Sequence, residues 1–224
     1  MTQTTKLMGT DGSELLGYLS EAPGGKARGA VLLIHEWWGL NEHIRDVANR
    51  LAREGFTVFA VDLYRGKVAK DAATAQQYLG AMDWKQAGED LQRAADALRQ
   101  RGPGTKVGVT GFCMGGAVSL FAAARDPEIA ACVPFYGIPG DDKVDVTRIR
   151  GAVQGHFARQ DDWCSPERVD ALEKKLQGAN VRAELHRYEA RHAFFNDTRP
   201  DVYSKPDAEL AWRRTVDFLH AKLG

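Results

Sequence analysis

Residues 111–116 read Gly-Phe-Cys-Met-Gly-Gly, placing Cys113 two positions from a glycine on either side. A thiol attacks a carbonyl carbon as its thiolate, and a nucleophile is well presented at the apex of a sharp strand-to-helix turn. The apex of such a turn is strained and its backbone crowded, so small residues two positions away are what the geometry demands. With 3 Cys and 23 Gly in 224 residues, chance supplies only about 0.03 such patterns. A helix N-terminus favours the thiolate, so this placement predicts a thiol more acidic than an ordinary cysteine. The Met114 backbone N–H opens the same helix and could hold an oxyanion. An inert, buried cysteine is the alternative reading, and it applies more readily to Cys132 and Cys164.

A nucleophile needs a base, and the base an orienting acid. Downstream of Cys113, His156 and His186 fall in predicted strands and His220 in the last helix. His192, within Tyr188-Glu189-Ala190-Arg191-His192-Ala193-Phe194-Phe195, follows a strand and is the downstream histidine in the right place. Asp161 and Asp162 both follow the predicted strand at 151–157, and the residues alone do not choose between them. Upstream, Glu36 ends a strand in His35-Glu36-Trp37-Trp38-Gly39, an unusual place for a solvated charge; either it caps something locally or it faces the cysteine. The Trp37 N–H occupies the position of a second oxyanion donor.

These residues must be positioned by a scaffold. Residues 29–35 form a continuous apolar run that suits a strand buried on both faces. Further strands are predicted at 56–61, 106–110, 129–135, 151–157 and 181–188. Helices are predicted from Asn41 as cap to Gly55, over 71–101 as one long or two short helices, and over 114–125. Two more follow, at 166–177 with Gly178 past its end, and at 208–223. Alternating strands and helices give an α/β fold, a mostly parallel central sheet with helices on both faces. Ligands of such sheets bind beyond the carboxyl ends of the strands, where Glu36, Cys113, Asp161 and His192 all fall. No repeat or linker divides the chain, so residues 1–224 are expected to form a single domain.

The chain resembles the dienelactone hydrolases, the cysteine branch of the α/β-hydrolases. The resemblance rests on His35-Glu36-Trp37-Trp38-Gly39-Leu40, Val61-Asp62-Leu63-Tyr64, Gly111-Phe112-Cys113-Met114-Gly115-Gly116, Phe135-Tyr136-Gly137, the loop from Asp161 to Pro166, and Arg191-His192-Ala193-Phe194. It implies a triad of Cys113, His192 and Asp161, the spacings favouring Asp161 over Asp162, with Glu36 deprotonating the thiol and the Trp37 and Met114 amides forming the oxyanion hole. The family's substrate-binding arginine four residues after the histidine is replaced here by Asn196, and no arginine occurs from Gly66 to Gln92, although Lys67 and Lys70 are present. A pocket lined by Trp37, Trp38, Tyr136, Trp163 and Phe194, with Asn196 beside it, is therefore expected to accept neutral or aromatic groups. The implied activity is hydrolysis of carboxylic esters or lactones, without useful peptidase activity.

Composition excludes other classes. The 30 Lys+Arg balance 30 Asp+Glu, which argues against nucleic acid as a partner. No apolar run is long enough to span a membrane, and the first six residues are polar, so a cytoplasmic protein is expected. Three cysteines do not make a disulfide framework, no histidine–cysteine spacing suits a metal, and no cofactor is implied. The expected partner is a small ester or lactone, and the expected state a monomer or small homo-oligomer. Two other readings are a thiol sensor using Cys113 and Cys164, and a non-catalytic binding protein on the same scaffold.

Overall fold

The computed structural model describes residues 5–102 and 104–224. It opens with two strands that the apolar pattern does not announce, β1 (Thr5–Met8) and β2 (Glu14–Ser20). Gly17 interrupts the period of β2 for a packing reason: a Cβ there would lie 2.4 Å from the Ala60 carbonyl oxygen and from the Phe59 ring. The chain continues through β3 (Ala30–Ile34), α1 (Glu42–Arg53), β4 (Thr57–Val61), α2 (Ala72–Gly80), α3 (Trp84–Arg99) and β5 (Val107–Phe112). It ends with α4 (Met114–Arg125), β6 (Ile129–Phe135), β7 (Ala152–Gln160), α5 (Pro166–Gly178), β8 (Ala183–Arg191) and α6 (Lys205–Leu223).

The eight strands form one sheet in the order β1-β2-β4-β3-β5-β6-β7-β8. The first two pairings are antiparallel and the rest parallel. Alternate residues of β3 serve opposite faces. Val31 and Leu33 pack with Ile44, Val47 and Leu51 of α1 and Leu219 of α6, whereas Leu32 and Ile34 pack with Leu91 and Leu98 of α3 and Val118 of α4. Both faces are thus covered, as the expected α/β-hydrolase architecture requires. Asn41 caps α1 by accepting from the Ile44 N–H at 3.2 Å. Asp83, accepting from the Lys85 and Gln86 amides, divides the stretch at 71–101 into two helices.

Several boundaries differ from expectation, among them β5, which runs on to Phe112, and α6, which starts at Lys205. Strands β7 and β8 each run three residues further, so Asp161 and His192 follow them directly. Helix α5 includes Gly178, and the left-handed residue that ends it is Asn180, with φ of 57°. No helix among the described residues is long and apolar enough to cross a membrane.

His156, buried on β7, ties the sheet to its cover: its Nδ1 lies 2.8 Å from the Tyr188 hydroxyl and its Nε2 3.0 Å from that of Thr215. Burial holds its proton affinity well below the ordinary value, helped by the neighbouring His186 and Arg214. His186 is lowered too, by burial and Arg214 against the opposing pull of Glu184. The unfolded chain therefore binds protons that the folded chain refuses once pH falls through about 6.5. The contribution of the two imidazoles to stability should be constant above that value and decline below it, by at most about 1.4 kcal/mol per pH unit for each. Urea titrations at several pH values check this. The slope should flatten in His156→Gln, and an unchanged slope would count against it.

Candidate active site

Cys113 sits at the hand-over from β5 to α4, with φ of 56° and ψ of −116°. The glycines around it are needed for close approach. A Cβ on Gly111 would stand 2.2 Å from the Gly115 carbonyl oxygen, and one on Gly115 would stand 2.3 Å from that of Ile34. Tyr136 (φ 35°), after β6, and Ala193 (φ 63°), after His192, are also left-handed, so unfavourable backbone conformations gather at the carboxyl edge of the sheet.

At that edge the structure brings Cys113, Glu36, His192, Trp37, Trp38, Met114, Tyr136 and Trp163 onto the wall of one cavity of about 290 Å³. His192 Nδ1 lies 2.8 Å from Asp161 Oδ2, and Asp161 Oδ1 accepts from the Trp163 and Cys164 amides at 2.8 and 2.9 Å. Burial alone would raise the Asp161 carboxyl, but the His192 bond and charge and these two amides outweigh it and hold it below the ordinary value. Asp162 is exposed. An imidazole held through Nδ1 leaves Nε2 for chemistry, and the His192 side chain keeps 20% of its surface open.

Glu36 is 1% exposed, and its Oε2 accepts from Asn196 Nδ2 at 2.8 Å. Burial raises its proton affinity, against the weaker opposing influences of His43, Asn196, His192 and Arg199. The Cys113 thiol is also pushed up, by burial first and by the Glu36 charge second, and of these influences only the Met114 amide acts the other way. The expectation of an acidified thiol is therefore corrected: the loss of water and a nearby carboxylate outweigh the Met114 amide at the helix N-terminus and push the thiol up.

Two pocket expectations are also corrected. Phe194 is fully buried among Tyr136 and Tyr188, with ring centroids at 5.5 and 4.9 Å, and does not line the cavity. Asn196 lies behind Glu36, buried, with its Oδ1 accepting from the Thr198 amide and hydroxyl. The turn it builds returns the chain so that Arg199 reaches the cavity wall, which the sequence reading missed; the signal was an Asx turn at Asn196, three residues before the arginine. Arg168, also on the wall, donates to the Ile138 carbonyl at 3.0 Å and to that of Trp163. Lys67 stands over the Tyr78 ring on a neighbouring cavity. Leu79, Trp84, Ile138 and Pro139 complete the apolar wall. The three cysteines are unpaired, and burial pushes Cys164 up to about 12. Among the described residues no cluster of three His, Cys, Asp or Glu could hold a metal.

The family model for the dienelactone hydrolase family matches residues 16–223. The chain is 34% identical to "Protein usf" of Aquifex pyrophilus over 93% of its own length and 94% of that protein's. It is 32% identical to a protein of Aquifex aeolicus named "Putative carboxymethylenebutenolidase", covering 87% of this chain and 88% of the relative. Among solved structures, a dienelactone hydrolase-like promiscuous phosphotriesterase from metagenomic libraries aligns with a TM-score of 0.83 at 26% identity, over 99% of both chains. With the sheet order, the strand-to-helix turn and a match over nearly its whole length, the chain belongs to the dienelactone hydrolase family, ester hydrolases of the α/β-hydrolase fold.

Proposed function

We propose that this protein hydrolyses carboxylic esters or lactones through an S-acyl enzyme on Cys113. The observation that carries the reading is the convergence of that thiol with the Asp161-held His192 and the buried Glu36 on one cavity. In acylation the S–H bond breaks toward the Glu36 carboxylate, sulfur bonds to the carbonyl carbon, and the oxyanion is held by the Trp37 and Met114 amides. The C–O bond then breaks as protonated His192, paired with Asp161, gives its proton to the departing oxygen. In deacylation His192 takes a proton from water, the hydroxide displaces sulfur, and Glu36 returns the proton to the thiol. A thiolate leaves more readily than an amide nitrogen, so amides revert while esters, enol lactones and thioesters proceed.

The tryptophans on the wall suit planar, apolar acyl or leaving groups. Arg199 and Arg168 add positive charge to it, so a carboxylate on the substrate can also be accommodated. Arg199 is paired with Asp201 at 2.6 Å, an exposed pair of small strength that a substrate can displace.

Replacement of Cys113 by alanine should lower turnover of p-nitrophenyl acetate by at least about 10³-fold, and mass spectrometry of the wild type should find the acyl group on Cys113. Retained turnover in the variant would discard the nucleophile. Casein and peptides should not be cleaved at a comparable rate.

Glu36 must be ionised to accept the thiol proton, and its proton affinity is raised. The acid limb of kcat/KM should therefore lie above the ordinary glutamate value of 4.5. Glu36→Gln keeps an acceptor for Asn196 but not the base, so it should lose this limb and fall about 10²-fold or more in rate. An unchanged pH profile would make Glu36 structural. Arg199→Ala should raise KM for carboxylate-bearing esters while leaving neutral aryl esters within about twofold; equal effects on both would exclude a carboxylate role.

A further inference from the structure

His35 is fully buried and does not reach the cavity, yet both of its ring nitrogens are engaged. The Leu63 N–H, on the loop after β4, donates to Nε2 at 3.2 Å. Nε2 is therefore the acceptor, the ring proton sits on Nδ1, and Nδ1–H donates to the Glu36 carbonyl at 2.6 Å. The same carbonyl accepts from the Gly39 N–H at 3.1 Å. Two donors from different directions fix the plane of the Glu36–Trp37 peptide. That peptide is trans, so its N–H points opposite to its C=O, away from His35. No acceptor within the protein receives the Trp37 N–H among the described residues, and Trp37 lines the cavity.

We infer that His35 is a positioning residue that aims the Trp37 N–H at the oxyanion by holding the far end of the same peptide. The inference rests on the ester-hydrolase reading proposed for this site. Tyr64 extends the arrangement. Its ring packs edge-on against His35 with centroids 4.8 Å apart, and its hydroxyl donates to Met114 Sδ at 3.2 Å. One buried pair, anchored after β4, thus touches the carbonyl end of the peptide that carries the Trp37 N–H and the side chain of Met114. His35 contacts no substrate; it acts through the peptide.

The two amide replacements of histidine separate the roles of its nitrogens. Asparagine carries a donor near the place of Nδ1, whereas glutamine reaches the place of Nε2 and leaves the Glu36 carbonyl without its ring donor. His35→Gln should lower kcat for p-nitrophenyl acetate by about 10- to 100-fold with KM little changed, while His35→Asn stays within about threefold of wild type. Alkylation of Cys113 by iodoacetamide passes through no oxyanion and should change by less than about twofold in either variant. Equal losses in both variants, or alkylation falling in step with turnover, would overturn the proposal. In the unaltered protein, nitrogen-15 spectra should show the His35 ring as the Nδ1–H tautomer across the active pH range, and an Nε2–H tautomer would equally overturn it. Failure of the nucleophile reading is recognised separately, by turnover that survives Cys113→Ala. The His35 pair would still report in that case, because any attack on an ester carbonyl creates an oxyanion.

Discussion

The site depends on how closely α4 can be laid against the ends of β3 and β5. Ile34 pairs with Gly111 in the sheet, which sets the residues after β3 level with the apex of the turn after β5. The helix can start there only because Gly115 leaves room for the Ile34 carbonyl and Gly111 for that of Gly115. The turn that results holds Cys113 in a conformation costing about 1–3 kcal/mol. Packing on both faces of the sheet over-determines it, and the Cys113 carbonyl is anchored by the Gly116 and Ala117 amides at 3.0 and 3.2 Å. From that one contact follow the exposed face of the sulfur, the direction of the Met114 amide and its distance from the loop carrying Glu36 and Trp37.

Local donors then decide what burial does to each acid. Asp161 and Glu36 are both carboxylates withdrawn from water, and both are penalised for it. Asp161 receives two backbone amides and an imidazole and ends up a stronger acid than usual. Glu36 receives one neutral side-chain amide and ends up a stronger base. The difference in donors thus separates the two carboxylates in proton affinity. In the proposed mechanism the first orients the His192 imidazole and the second accepts a proton.

Much of this was legible in the sequence because it is local. The spacing of Gly111, Cys113 and Gly115 encodes a turn, and the chain order of Cys113, Asp161 and His192 places each beyond a strand. The choice between Asp161 and Asp162 was not local: it is made by His192, 31 residues further on, whose Nδ1 meets the Asp161 carboxyl. Phe194 and Asn196 were misplaced because the left-handed Ala193 reverses the chain after His192, so neighbours in sequence turn away from the cavity. Arg199 was missed for the complementary reason, a later turn that brings the chain back. The first hairpin was hidden by Gly17, whose missing side chain breaks the alternation so that Phe59 can pack there. The thiol was misjudged because helix-end electrostatics is readable from one motif, whereas burial and the charge of Glu36, on the loop after β3, depend on the tertiary fold.

The raised proton affinity of the Cys113 thiol also bears on the sensor reading. Oxidation by peroxides and attack by alkylating agents both require thiolate. Burial pushes Cys113 and Cys164 alike toward the protonated form, and Cys164 has little surface to offer an oxidant. A hydrolase does not share the sensor's requirement. In the proposed mechanism the thiolate is needed only while a carbonyl is in place, with Glu36, whose proton affinity is raised, taking the proton then and returning it afterwards. On that proposal, the burial that disfavours oxidation of Cys113 also lets the nucleophile sit idle without being consumed.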